Sequence, residues 1–278
     1  MELLKGLPVA KAINEELINE REKTGVVPKL AIIRVGERED DLAYERGALK
    51  KMEKVGFDAE VFAFPKDIDN EDFQKEFDKI NENPDIDGIL LLRPLPKQLD
   101  EKAVTLRIDP KKDIDGIGPM NLYKVFAGES DGYAPCTAEA VIEILDHYGI
   151  DVKGKAVTVV GRSLVIGKPV AMMLMKKNGT VTICHTKTAD MRGVCKGADI
   201  VVAAAGQAKM IDASFLNEGT VVIDVGINTD EEGNLCGDVD ASSVEAMEGM
   251  LTPVPGGVGS VTTSVLAKHL LKAALNKR

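Results

Sequence analysis

Residues 156–188 read AVTVVGRSLVIGKPVAMMLMKKNGTVTICHTKT. Ala156 to Val160 is a β-branched apolar run, long enough for one buried strand. Gly161-Arg-Ser163 breaks it. Gly167-Lys-Pro169 opens the apolar-periodic segment Val170 to Met175, which predicts a helix. Proline suits a helix start because its missing N–H has no partner there anyway. Gly179 ends the helix, and Thr180 to Cys184 predicts a second strand. Strand, glycine turn, helix and strand make a βαβ unit whose helix N-terminus can hold a phosphate. The spacing Gly161 to Gly167 is not G-x-G-x-x-G, so a crossover that binds nothing remains an alternative on this stretch alone. The second strand ends in His185, Thr186 and Lys187, with no carboxylate for a ribose 2′-hydroxyl. With Arg162 nearby, this chemistry points to NADP rather than NAD, NAD being left open.

Outward from this unit, strands and helices alternate. Toward the N-terminus the pattern predicts a helix over Leu7 to Arg21 and a strand over Lys29 to Val35. A helix from Leu42 to Val55, a strand from Ala59 to Phe64 and a helix from Glu71 to Asn81 follow. A strand from Ile86 to Leu92 is stopped by Pro94 and Pro96. Lys112-Asp-Ile-Asp-Gly116 leads through a loop to Pro135-Cys-Thr137, where Thr137 is a candidate N-cap for a helix over Ala138 to Tyr148. Toward the C-terminus come strands at Asp199 to Ala204 and Thr220 to Val225, a Pro/Gly-rich loop from Leu251 to Gly259, and a helix from Ser260 to Lys277 able to pack back on the first domain. The fold class is α/β: two α/β domains, the second a Rossmann-like NAD(P)-binding domain. Residues 1–122 plus 258–278 form one expected domain and 123–257 the other.

The bulk properties narrow the function. The formal charge is −10 and no basic tract occurs, which argues against nucleic acid as a partner. No apolar run reaches membrane-spanning length, and the N-terminus is too charged for a signal peptide. The four cysteines lack C-x-x-C spacing. They read as reduced thiols of a cytoplasmic protein, and neither they nor the three histidines have metal-ligand spacing. Cys136 reads as a small buried thiol and no nucleophile.

Several motifs together carry a resemblance. They are Val159-Val-Gly-Arg-Ser163 with Gly167-x-Pro169, Thr180-Val-Thr-x-Cys-His185, Val222-Ile-Asp-Val-Gly-Ile-Asn228, Gly237-Asp-Val239 and Thr252-Pro-Val-Pro-Gly-Gly-Val-Gly259. Lys112-Asp-x-Asp-Gly116 and Pro135-Cys-Thr137 agree as well. From Leu30 to Ala274 the chain resembles the bifunctional methylenetetrahydrofolate dehydrogenase/methenyltetrahydrofolate cyclohydrolases. The resemblance implies a folate domain and an NADP domain with a cleft between them, in a homodimer. It implies hydride transfer from 5,10-methylenetetrahydrofolate to NADP, then hydrolysis of the methenyl product to 10-formyltetrahydrofolate. Carried over by position, Gly161, Arg162 and Ser163 would bind the cofactor phosphates, Thr186 would lie near the 2′-phosphate, and Ile227 would contact the nicotinamide half. Tyr44 and Asp115 would contact the pterin, and Pro255, Gly256 and Gly257 would line the cleft.

The chain departs from its family at two linked places. The family's active-site helix carries Tyr-x-x-x-Lys; here Tyr44 is followed at that spacing by Ala48. The family's strand end reads Val-Gln-Leu-Pro-Leu-Pro; here Leu92 takes the place of the glutamine that partners the lysine. Lys51 is seven residues past Tyr44, within about 20° of the same helix stripe but roughly 10.5 Å along it. It becomes the substitute candidate. Alanine and leucine cannot transfer protons, whereas hydride transfer needs positioning above all. The expectation is therefore an NADP-dependent methylenetetrahydrofolate dehydrogenase with weak or absent cyclohydrolase activity. The alternatives are the full bifunctional enzyme and a catalytically silent folate- or nucleotide-binding protein. Arg93, beside two prolines, faces either a folate's glutamate tail or solvent.

Overall fold

Two aliphatic runs, Lys29–Val35 and Ala156–Val160, become inner strands of two parallel sheets. The computed structural model describes residues 1–277. These divide into two compact units, one made of residues 12–124, 129–136 and 263 onward, the other of 1–11, 125–128 and 137–262.

The chain opens with β1 (Glu2–Leu3) and the start of α1 (Gly6–Thr24). The three-stranded unit then holds the rest of α1, β2 (Lys29–Val35), α2 (Glu39–Val55), β3 (Asp58–Phe64), α3 (Asn70–Glu82), β4 (Gly88–Leu91), α4 (Glu101–Arg107) and most of α5 (Pro119–Ala127). Its strand order is β3-β2-β4, all parallel. Side chains alternate along a strand, so Ala31, Ile33 and Val35 share one face. They pack with Phe73, Phe77 and Ile80 of α3 and with Ile89 and Leu91 of β4. Leu30 and Ile32 face the other way and are fully buried. Glu39, Asp40 and Asp41 in the first turn of α2 suit the positive end of its dipole. Gly56, at φ +73°, ends that helix, and Arg21 of α1 donates to the carbonyls of Val55 and Gly56 there.

The six-stranded unit runs through α6 (Cys136–His147), β5 (Ala156–Val160), α7 (Gly167–Lys176), β6 (Thr180–Cys184), α8 (Met191–Lys196), β7 (Ile200–Ala203) and β8 (Val221–Asp224). A short ribbon, β9 (Asn228–Thr229) with β10 (Leu235–Cys236), precedes α9 (Ala241–Val244) and β11 (Met250–Leu251). The sheet order is β1-β11-β8-β7-β5-β6, again parallel. The last helix, α10 (Thr262–Asn276), belongs almost wholly to the three-stranded unit. Its Leu270 lies against Gly88 of β4, where an added Cβ would come within 2.7 Å of that leucine.

Three local expectations are corrected. Thr137 is no N-cap, because α6 already starts at Cys136. The stretch between the Lys112 motif and Pro135 is not all loop: Pro119 opens α5, as proline can at a helix start. Glu2–Leu3 adds a strand beside β11 that was not foreseen, since two residues carry no periodicity.

Phe77 is fully buried at the centre of the α3 contact. Phe77→Ala is expected to destabilise this unit by about 3–5 kcal/mol through lost burial and a cavity. Urea denaturation followed by circular dichroism measures it; a loss near zero would mean α3 is not held by this core.

Candidate functional site

In the six-stranded sheet the strand order reverses beside β5: β6 follows on one side and β7 on the other. Open α/β sheets bind ligands outside the carboxyl ends of the strands at such a reversal. Gly161 sits there, at φ +139°, and a Cβ on it would lie 2.1 Å from the carbonyl oxygen of Ala204 at the end of β7. A Cβ on Gly167 would lie 2.2 Å from the carbonyl oxygen of Gly161. Both glycines are thus required by close backbone approach. Arg162 and Ser163 are exposed in the loop between them. The Ser163 hydroxyl accepts from the N–H groups of Ile166 and Gly167, at 3.1 and 3.4 Å, which leaves its own proton to donate. Thr186 is exposed in the turn after β6. In that turn the Nδ1 of His185 accepts from the Lys187 N–H at 3.1 Å. The glycine cradle and the presence of Arg162, Thr186 and Lys187 without a carboxylate among 185–187 fit a dinucleotide with a 2′-phosphate.

A second construction, not foreseen from local patterns, fixes the loops after β7 and β8. Asp224 and Asp238 are both buried. Asp224 accepts from the N–H groups of Gly226, Asp238 and Val239, each at 3.0 Å. Asp238 accepts from Ala205, Gly206 and Gln207 and from the Asn228 side chain, at 2.6 to 3.0 Å. Each carboxylate thereby holds the other's segment. Gly226 and Gly237 are glycines because a Cβ would strike Asp238 and Asp224 at 2.4 and 1.9 Å. Burial pushes Asp224 up to about 6 against the pull of its three donors. The motifs Asp224-Val-Gly and Gly237-Asp therefore meet in space. Beyond them, Ile227, two-thirds exposed, shares a cavity of about 230 Å³ with Pro255, Gly256 and Gly257. The expected nicotinamide contact and the expected cleft residues are brought together on this unit.

Tyr44, Lys51 and Asp115 all lie in the three-stranded unit. The Lys112 motif is mostly structural. Lys112 donates to the carbonyls of Asn81 and Asn83, each at 2.6 Å. Asp113 takes the turn-capping part, accepting from Ile117, Gly118 and Asn121, and burial pushes it up to about 6. Gly116, at φ +62°, faces the Tyr133–Pro135 backbone, 2.5 Å from a would-be Cβ. Asp115 is left for another use. Burial raises its pKa, opposed by a hydrogen bond from Cys136 and by the charges of Arg93 and His269. His269 of α10 donates from Nδ1 to the carbonyl of Ile114 at 2.8 Å, since a carbonyl can only accept. Cys136 and His269 were not foreseen as supports for Asp115, because residues 115, 136 and 269 meet only in the fold.

Tyr44 is half-buried on α2. Ala48 and Leu92 are buried, with 0% and 6% of their surface exposed. Lys51 extends from the same helix and donates to Asn14 of α1 at 3.1 Å and to Ser264 of α10 at 2.6 Å. Both partners are neutral. Desolvation, helped by the charge of Lys54, pushes its ammonium down to about 8. All four cysteines are buried and none is joined in a disulfide. Among the described residues no His/Cys/Asp/Glu group is arranged to hold a metal, and no helix is long and apolar enough to cross a membrane.

Comparison with known proteins agrees with this geometry. Residues 4–115 match the family description "Tetrahydrofolate dehydrogenase/cyclohydrolase, catalytic domain", and residues 135–278 match "Tetrahydrofolate dehydrogenase/cyclohydrolase, NAD(P)-binding domain". The "Bifunctional protein FolD" of Clostridioides difficile (strain 630) is 53% identical over 98% of this chain and 96% of its own length. Among solved structures, the bifunctional FolD methylenetetrahydrofolate dehydrogenase/cyclohydrolase of Campylobacter jejuni superposes with a TM-score of 0.96, at 33% identity over 100% of both chains. The Trypanosoma brucei methylenetetrahydrofolate dehydrogenase-cyclohydrolase, solved with NADP cofactor and an inhibitor, gives 0.91 at 35% identity, over 99% of this chain and 97% of that one.

Asp238→Ala would strand the N–H groups of Ala205, Gly206 and Gln207, so it is expected to cost about 3 kcal/mol or more. Asp240→Ala, which removes an exposed cap of α9, should cost only about 1 kcal/mol. Denaturant midpoints of the two variants compare them directly; equal losses would mean that the Asp238 bonds carry no special weight.

Proposed function

This chain belongs to the tetrahydrofolate dehydrogenase/cyclohydrolase family and uses NADP with a folate substrate, and on that premise we propose that it carries out both of the family's steps. The first is oxidation of 5,10-methylenetetrahydrofolate. When bound, NADP supplies the hydride acceptor. The substrate's own nitrogen stabilises the cationic product, so the protein's task is to orient. Tyr44 and Asp115 bind the pterin in this reading. Gly161, Arg162, Ser163 and Thr186 hold the cofactor, and Ile227 with Pro255, Gly256 and Gly257 shapes its nicotinamide end. A homodimer in the cytoplasm completes the reading, and light scattering of the purified chain would test the dimer.

The second step, hydrolysis of the methenyl product to 10-formyltetrahydrofolate, needs a group that moves protons. The sequence alone predicts that Ala48 and Leu92 leave this step weak or absent. The relatives at about half identity do not support that expectation, since their name is a bifunctional one. One observation supports the bifunctional reading in this chain: Lys51, on the helix of Tyr44, is pushed down to about 8 and meets only neutral partners. Such an amine exchanges protons near neutral pH. The dehydrogenase-only reading keeps one point in its favour, the burial of two apolar side chains at the family's lysine and glutamine positions.

A two-step spectrophotometric assay tests the proposal. NADPH is expected to form, and methenyltetrahydrofolate absorbance to decay at a rate proportional to enzyme. Lys51→Met should slow that decay about 10²-fold or more, the scale of a lost general acid–base group, with hydride transfer retained. Decay at the uncatalysed rate in the wild type leaves the dehydrogenase alone. Lys51 also predicts a pH signature. Its folded pKa lies below its unfolded one, so the folded chain binds fewer protons between about 8 and 10.5. Its contribution to stability rises with pH across that window. The urea midpoint of wild type minus that of Lys51→Met should climb as pH rises through it; a flat difference would refute the depressed pKa.

A further inference from the structure

One face of α10 grips the loop of residues 129–136. Lys272 donates to the carbonyls of Ser130 and Gly132, each at 2.9 Å, and its ammonium stands 5.1 Å from the centroid of the Tyr133 ring. His269, three residues earlier and so on the same helix face, sets its ring 5.4 Å from that of Tyr133, tilted by 53°. His269 and Tyr133 are each only 3% exposed. Leu266, Leu270 and Leu271 beside His269 are buried as well. An imidazole is a costly filling for such a place, since its polar atoms must be hydrogen-bonded there. A leucine would fill the volume without that demand. The histidine therefore points to a use for its N–H.

That use lies in the choice open to Cys136. Nδ1 of His269 donates to the Ile114 carbonyl at 2.8 Å and stands 3.8 Å from the Cys136 sulfur. The sulfur is 3.4 Å from the same carbonyl. A thiol has one proton to give, and two acceptors compete for it: the Ile114 carbonyl and the Asp115 carboxyl, which also accepts from the Cys136 N–H. An imidazole N–H is the stronger donor, the thiol a weak one. With the imidazole on the carbonyl, the thiol serves the carboxyl. We propose that His269 is a positioning residue for the folate: it occupies the Ile114 carbonyl, commits the Cys136 thiol to Asp115, and so fixes that carboxylate in one orientation for the donors of the pterin. An acceptor already held loses less freedom when a ligand binds it. The inference rests on the reading of Asp115 as the pterin contact and adds to it a residue from the far end of the chain.

The test is a double-mutant cycle read as dehydrogenase kinetics. His269→Leu is expected to raise the KM for methylenetetrahydrofolate roughly 5- to 100-fold, the scale of a buried hydrogen bond lost with its partner left unpaired. The KM for NADP and kcat should stay as they are, because only substrate binding is weakened. His269→Asn, whose amide nitrogen can take the place of Nδ1, should restore most of the loss. In an Asp115→Ala background His269→Leu should change nothing further, since it acts through that carboxylate. A general loosening of the fold would instead act in both backgrounds and on both substrates. A leucine variant with the wild-type folate KM, or one with the same effect in both backgrounds, overturns the inference and leaves the role of Asp115 standing. An Asp115→Ala enzyme with the wild-type folate KM overturns the pterin reading, and the inference with it. Should the leucine variant fail to fold, Cys136→Ala runs the same cycle with α10 untouched. It should raise the folate KM about 2- to 10-fold, the scale of one neutral hydrogen bond, only where Asp115 is present; equal effects in both backgrounds refute the relay. Calorimetry with tetrahydrofolate reads the cycle as binding if any of these enzymes is inactive, with the same outcomes deciding.

Discussion

The exchange of carboxylates between Asp224 and Asp238 is the interaction on which the nucleotide-binding half depends. The loops beyond the sheet's carboxyl edge carry backbone N–H groups, and each must be satisfied or solvated. Here two buried aspartates answer seven donors from three chain segments. Charge-assisted bonds of this kind are about twice as strong as neutral ones. They leave Ile227 presented on a fixed base, and they force glycine at 226 and 237. The reversal of strand order beside β5 places the Gly161 turn on the same sheet edge.

Strand runs, glycine turns and the alternation of strands with helices were legible in the sequence because they are local. So was the glycine turn after β5, where Gly161 and Gly167 bracket an exposed Arg162 and Ser163. The motif blocks were visible as blocks, but their division of labour was not. In the Lys112 motif four positions serve the fold and Asp115 is the one left over, a division that depends on contacts to Asn81, Asn121, Tyr133 and His269. Asp224 and Asp238 read as ordinary acids until the fold brings Gly226 and Gly237 against them. His269 gave no signal at all, since its partner carbonyl is 155 positions away.

Lys51 shows where geometry and family likeness pull apart. Helix periodicity places it on the Tyr44 stripe, and the structure commits its amine to Asn14 and Ser264. An amine among neutral partners has a lowered proton affinity whatever its task. The substitution of Ala48 and Leu92 for the family's lysine and glutamine predicts a lost hydrolase on chemical grounds, while the bifunctional names of the relatives point the other way. The physical distinction is that orientation alone suffices for one step and proton movement is obligatory for the other.

The placement of α10 has a consequence for how the chain acquires its structure. Val265, Leu266, Leu270 and Leu271 complete a core whose strands were made about two hundred positions earlier. The three-stranded unit is thus interrupted by most of the other one. During synthesis the strands β2 to β4 emerge first but lack the helix that covers Gly88, and closing so long a loop slows the search. The six-stranded unit, continuous over most of its length, can organise in the interval. The first half of the chain then matures last, and its unfinished apolar face is the stretch most exposed to chaperones and to aggregation.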